Sequence, residues 1–197
     1  MPSHSAPLPS AHRPRLGVLL SGSGRTLQNL LDRIGDGRLQ ATVAGVASDR
    51  DDAFGLQRAL DHGLEARTMR DPSTIWAWLG ELDVDLVVLG GYLRLLRIVP
   101  DYAGRVLNIH PSLLPEFGGK GMYGDRVHAA VLAAGRTESG CTVHLCNNDY
   151  DSGRILVQAR VPVLPDDTPA VLAARVFEAE REVYPAAIAM RWRELNG

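Results

Sequence analysis

Lysine is almost missing from this 197-residue chain: Lys120 stands alone beside twenty arginines. Cysteine is nearly as scarce. Cys141 and Cys146 lie five positions apart, outside any CxxC or CxxH pattern. That excludes a sequence-evident zinc site or redox pair and points to two reduced thiols in or beside a strand of a cytoplasmic protein. No run of eighteen apolar residues exists, so no membrane span is expected. The formal charge of −2 leaves no basic excess for gripping nucleic acid. The opening MPSHSAPLPSAHRPR lacks the apolar centre of a signal peptide, and residues 1–14 read as a disordered tail. Repeats and internal linkers are absent too. With 45% apolar and 22% charged residues, 15–197 are expected to form one domain.

What is present alternates. Arg15 to Ser21 (RLGVLLS) is a short apolar run ending in a Gly-rich turn, as a buried strand does. Leu27, Leu30, Leu31 and Ile34 then recur at helical spacing. ATVAGVAS, ARTM and VDLVVLGG follow as strands. Between them lie the helices DDAFGLQRALDHG, with Phe54, Leu56, Ala59 and Leu60 as its apolar side, and STIWAWLGEL, with a Ser/Thr cap. RVLNI reads as a strand and DRVHAAVLAAG as a helix. TVHLCNN and RILVQARVPVL read as an antiparallel pair, and the final helix is expected to be interrupted near Pro185. The pattern predicts an α/β fold: a Rossmann-like, mostly parallel sheet flanked by helices, with an antiparallel pair in the C-terminal half.

Chemistry has three places to live. SGSGRT, Ser21 to Thr26, joins the first strand to the first helix, where free backbone N–H groups and the helix dipole favour an anion. It is neither a Walker motif nor GxGxxG, so a single phosphate monoester suits it better than a dinucleotide, and a plain tight turn remains the alternative. In LNIHPS, Asn108 and His110 project from one face at the C-terminal end of a strand, the edge where open α/β sheets bind ligands. NNDYDSG, Asn147 to Gly153, is a solvated turn unless the fold carries Asp151 to His110, where a carboxylate would raise the imidazole pKa and set its tautomer.

Taken together, SGSGRTLQNLL, LNIHPSLLP and DYDSGRILVQ closely resemble the phosphoribosylglycinamide formyltransferases, a branch of the folate-dependent formyltransferase family. The resemblance spans nearly all of residues 15–190. It implies a formyltransferase domain over 15–197 that moves a formyl group from 10-formyltetrahydrofolate, a co-substrate, to the amine of glycinamide ribonucleotide in purine synthesis. By that resemblance the catalytic set is Asn108, His110 and Asp151. The substrate phosphate falls to Gly22, Gly24, Arg25 and Thr26, and the substrate's amine side to Glu180. Folate falls to Leu93, Arg94, Leu95 and Leu96, with Asn108 and Asn147. Arg70 is the candidate for the folate tail. Lys120 and Tyr123 belong to a loop, EFGGKGMYGDRVH, longer than the common form, where they either face the folate tail or the substrate or shape a mobile lid.

The reaction so implied needs no metal and no covalent enzyme intermediate. Asn108 and a protonated His110 would stabilise charge on the formyl oxygen. Partners are then the two small molecules, with neither nucleic acid nor membrane, in a monomer or homodimer of the cytoplasm. Methionyl-tRNA formyltransferases and formyltetrahydrofolate hydrolases share part of the motif set. The first carry a further C-terminal domain and the second an N-terminal one, and neither is expected here. A ligand sensor without turnover would have no need of proton-transfer groups.

Overall fold

A computed structural model of the protein describes residues 12–197. Of the expected tail, residues 1–11 lie outside the described residues. Seven strands form one sheet in the order β3-β2-β1-β4-β5-β6-β7. In chain order they are β1 (Arg15–Leu20), β2 (Thr42–Ser48), β3 (Ala66–Thr68), β4 (Leu86–Leu89), β5 (Val106–His110), β6 (Glu138–Leu145) and β7 (Ile155–Pro162). The first five are parallel, and β5-β6-β7 run antiparallel, as the sequence pattern predicts. Helices α1 (Arg25–Gly35), α2 (Phe54–Asp61), α3 (Pro72–Glu81), α4 (Asp125–Ala133) and α5 (Pro169–Asn196) cover it.

Strand periodicity divides the core. Val18 and Leu20 of β1 pack with Leu27 of α1 and Ala59 of α2, while Leu16, Val88 and Leu107 pack with Leu172, Val176 and Tyr184 of α5. The opposite face, with Leu19, Val87 and Val106, meets Ile75, Trp76 and Trp78 of α3. Chain direction therefore reverses between β1, whose crossovers run outward to β3, and β4, whose crossover returns across the other face. The connections after β1 and β4 go on to opposite faces of the sheet at this switch point, leaving a crevice.

Three local expectations are corrected. α3 is capped by Asp71, whose carboxylate accepts from Thr74 N at 3.0 Å, with Pro72 opening the helix, rather than by Ser73 or Thr74. In α2, Phe54 and Leu60 face solvent at 56% and 55% exposure, and Gly55 and Ala59 are the buried positions. The reason is close approach: a Cβ on Gly55 would lie 2.5 Å from Leu20, so the helix sits too near the sheet for a side chain at that position.

The third correction concerns Pro185, which does not interrupt α5; the helix runs through it for 28 residues. Proline has no N–H, so the Arg181 carbonyl one turn back loses its helical partner. Asn29 of α1 supplies one, donating from Nδ2 to Arg181 O at 3.1 Å. Asn29→Ala should therefore destabilise the fold by ~0.5–1.5 kcal/mol, the net worth of one hydrogen bond. Urea unfolding measures this, and an unchanged midpoint would contradict it.

Candidate active site

The crevice at the switch point is a cavity of about 590 Å³. Its floor comes from the turn after β1 (Gly22 to Thr26) and the turn after β4 (Gly90 to Leu93). Ser21 stitches the two turns together: its N–H donates to Gly91 O at 3.1 Å and its hydroxyl accepts from Leu93 N at 2.9 Å. Gly24 starts α1 with φ of 71°, and a Cβ there would come 2.5 Å from the Gly55 backbone. Glycine is required on both counts. α1 begins without a side-chain cap, leaving its first N–H groups available to an anion. All four residues expected to hold phosphate thus line one wall. Arg25 is braced with its guanidinium 4.3 Å from the Phe177 ring centre, on the α5 wall that also carries Glu180.

Asn108 and His110 leave the end of β5 on one face. The fold brings Asp151 to them from a turn more than forty residues later. Asp151 Oδ2 lies 3.5 Å from His110 Nδ1, and Oδ1 lies 3.4 Å from Asn108 Nδ2. Oδ2 also accepts from Gly119 N at 2.9 Å, which ties the Gly-rich loop to the same carboxylate. Asp151 has φ of 51°, the left-handed region that aspartate enters more readily than most residues.

One member of the cluster escaped sequence reading. His144 of β6 pairs directly across the sheet from Asn108, and its Nε2 sits 3.1 Å from Asn108 Nδ2 and 3.5 Å from Asp151 Oδ1. Its Nδ1 lies 3.1 Å from Leu145 O. A proton on Nδ1 satisfies that carbonyl and leaves Nε2 to accept from Asn108. The Asn108 amide is thereby fixed by one good hydrogen bond to His144 and a longer one to Asp151. The only sequence signal was a histidine interrupting the apolar run of β6.

Electrostatics correct a further expectation. Burial pushes the His110 pKa down; the Asp151 charge and the Phe117 carbonyl push it up, but the net direction is down. His110 Nε2 lies 2.8 Å from Phe117 O and so carries a proton, leaving Nδ1 to face Asp151. For Asp151, burial alone would raise the carboxyl. A hydrogen bond from the His144 ring once protonated at Nε2, the charge His110 gains as pH falls, and the Gly119 N–H together hold it below the usual carboxylate range. Burial lifts Glu180 to about 7 despite the opposing pull of Arg25.

The residues expected to bind folate divide between two spaces. Leu93 lines the main cavity. Arg94, Leu95, Leu96 and Asn147 surround a small side pocket of about 60 Å³, and Asn108 and Asp151 line both. Tyr92 and Tyr150 stand at the same junction. Leu93, Leu95 and Tyr123 leave apolar surface exposed nearby, at 41%, 36% and 40%. Arg70 lines neither space; it donates to Asp49 O and pairs with Asp51. Lys120 and Tyr123 line the main cavity. Cys146 lines the side pocket, but burial drives both thiols up to about 12, so neither is a nucleophile. Among the described residues no helix is long and apolar enough to cross a membrane.

Comparison with known proteins agrees with this geometry. Residues 14–188 match the formyl transferase family. A crystal structure of glycinamide ribonucleotide transformylase 1 from Symbiobacterium toebii superposes with a TM-score of 0.84 at 41% identity, covering 94% of this chain and 91% of that one. The phosphoribosylglycinamide formyltransferase of Haemophilus influenzae is 36% identical over 185 residues, spanning 88% of this chain and 85% of its own length. The chloroplastic phosphoribosylglycinamide formyltransferase of Arabidopsis thaliana is 37% identical over 206 residues, 94% of this chain and 70% of that protein. With the match running over nearly the whole sheet and both walls of the crevice, the chain belongs to the formyl transferase family.

Proposed function

We propose that this protein transfers a formyl group from 10-formyltetrahydrofolate to the amine of glycinamide ribonucleotide, a step of purine biosynthesis. One observation carries the reading: Asp151 lies within 3.5 Å of both Asn108 and His110, where the main cavity joins the side pocket. In this reading the nucleotide occupies the main cavity, with its phosphate on the α1 turn and Arg25 and its amine toward Glu180. The folate ring enters from the side pocket, so the formyl carbon lies at the junction. At 60 Å³ that pocket is too small for a bicyclic ring, and the irregular stretch from Gly91 to Val99 must shift to admit one. Its apolar lining of Leu95, Leu96 and Cys146 and polar rim of Asn147 and Asp149 suit a flat ring with hydrogen-bonding edges.

Formyl transfer makes a bond from the substrate nitrogen to the formyl carbon and breaks the bond from that carbon to folate N10. Over the whole step one proton passes from the amine to N10. As attack proceeds, charge gathers on the formyl oxygen. Asn108 donates to it by exchanging the longer of its two hydrogen bonds, the 3.4 Å contact with Asp151, while His144 keeps the amide oriented. His110, neutral before substrate binds, takes the amine proton on Nδ1 and delivers it to N10. Asp151, ionised beside it, stabilises the imidazolium formed in between. No step calls for the thiols, which are free and fit a reducing compartment such as the cytoplasm.

The reading is tested by incubating purified protein with 10-formyltetrahydrofolate, with and without glycinamide ribonucleotide, and following folate absorbance. Turnover should depend on the amine; consumption without it would mark a hydrolase, and no consumption would overturn the reading. His110→Ala should lower kcat by ~10²–10⁴-fold, the range for a lost general acid–base, with little change in KM for the nucleotide. A kcat near that of the wild type would remove His110 from the proton path.

Glu180 generates two pH predictions. If its carboxylate orients the amine, kcat/KM for the nucleotide should rise through an inflection near pH 7, and Glu180→Gln should abolish that inflection. A profile retained in Glu180→Gln would assign the inflection to another group. The raised pKa also means that the folded chain holds this proton more tightly than the unfolded one. Stability conferred by the neutral acid is present below the ordinary carboxyl value and is lost as pH rises to about 7. Relative to the wild type, Glu180→Gln should therefore melt higher at pH 8 than at pH 5. Equal differences at both pH values would contradict the linkage.

A further inference from the structure

One buried group in the main cavity has no part in the mechanism above. His128, in the second turn of α4, is only 4% exposed, and its ring lines the cavity. Nδ1 is sealed from solvent and, among the described residues, has no hydrogen-bond partner. Buried imidazoles ordinarily satisfy both nitrogens. An orphaned acceptor is tolerated more often than an orphaned donor, which places the proton of the neutral ring on Nε2, the nitrogen not sealed off. The result is a ring N–H on the unsealed side of a residue that lines the cavity.

The surroundings specify the missing partner. Arg25, reaching in from the first turn of α1, and His110, from the end of β5, both act electrostatically on the His128 ring and disfavour its charged form. Burial acts in the same direction and is the largest effect, and only Asp125 opposes them. Lys120 and Arg126 line the same space, and α4 begins there at Gly124 with no side chain capping its N–H groups. Three cations, the imidazole donor and two helix starts without side-chain caps therefore line one cavity, together with the carboxylates of Asp125, Asp151 and Glu180. Such a set fits an anion with several acceptor oxygens.

We propose that His128 is a ligand of the substrate's phosphate, donating from Nε2 and closing from the α4 side a site whose opposite wall is Arg25 and the Gly22–Thr26 turn. The proposal rests on the phosphorylated-substrate reading above. It makes the phosphate site two-sided, so the segment from Lys120 to Arg126 takes part in recognising the nucleotide.

Calorimetric titration with ribose 5-phosphate tests this without turnover, and so separates it from the formyl-transfer reading. His128→Leu should weaken binding by ~10- to 100-fold, the worth of one hydrogen bond to a charged group, and His128→Gln should recover most of the loss. With glycinamide ribonucleotide the same variants should raise KM and leave KM for the folate unchanged. With the dephosphorylated riboside, the variants and the wild type should not differ. In the wild-type protein, which avoids any question of misfolding, the His128 ring resonances should shift as ribose 5-phosphate saturates. Failure of the wild type to bind ribose 5-phosphate, unshifted His128 resonances, or equal losses with nucleotide and riboside would each overturn the assignment.

Discussion

The site depends on one carboxylate. Asp151 accepts from the Gly119 backbone, lies within reach of the Asn108 amide and faces the rings of both His110 and His144. These groups come from β5, β6 and two loops, and no two of the loops are adjacent in sequence. A buried carboxylate would ordinarily revert to its neutral form. Here the surrounding donors hold it ionised, and the same donors are held in place by it. The arrangement is cooperative, and its members are expected to respond together rather than additively when one is removed.

The scaffold makes this possible through two changes of direction. Between β1 and β4 the crossover reverses, opening the crevice proposed for the nucleotide. After β5 the sheet becomes antiparallel, and that register sets His144 opposite Asn108 and His110 opposite Thr142. Thr142 in turn ties down the turn after β5, donating to Ser112 O and accepting from Leu114 N. The first change builds a place for the substrate, the second a place for the proton. Tyr184 joins them from beneath: its hydroxyl lies 2.9 Å from the carbonyls of both Leu89 and Leu107, under the strand ends that carry the site.

Much of this was legible in the chain, and the failures have identifiable causes. Strand–helix alternation gave the parallel half, and short apolar strands joined by the DYDSG turn gave the antiparallel pair. The pairing of Asn108 with His110 followed from strand periodicity alone. Asp151 could be linked to them only through resemblance, because no local rule measures a distance across forty residues. His144 was missed because antiparallel register is a tertiary property, and His128 because a histidine on the buried side of a short helix resembles ordinary core. The expected break at Pro185 failed for a similar reason: the compensating donor, Asn29, lies in another helix. The expected upward shift of His110 counted the charge of Asp151 and left out the burial that brings the two groups together.

If Asp151 organises the reacting groups instead of merely bracing the loop, its effect belongs to the chemical step. Single-turnover transfer in an enzyme preloaded with both substrates isolates that step from binding and product release. Asp151→Asn, which keeps the shape and removes the charge, should slow transfer by at least ~10²-fold while both substrates still bind at their wild-type affinities. A single-turnover rate equal to that of the wild type would show that the carboxylate has no part in the reaction.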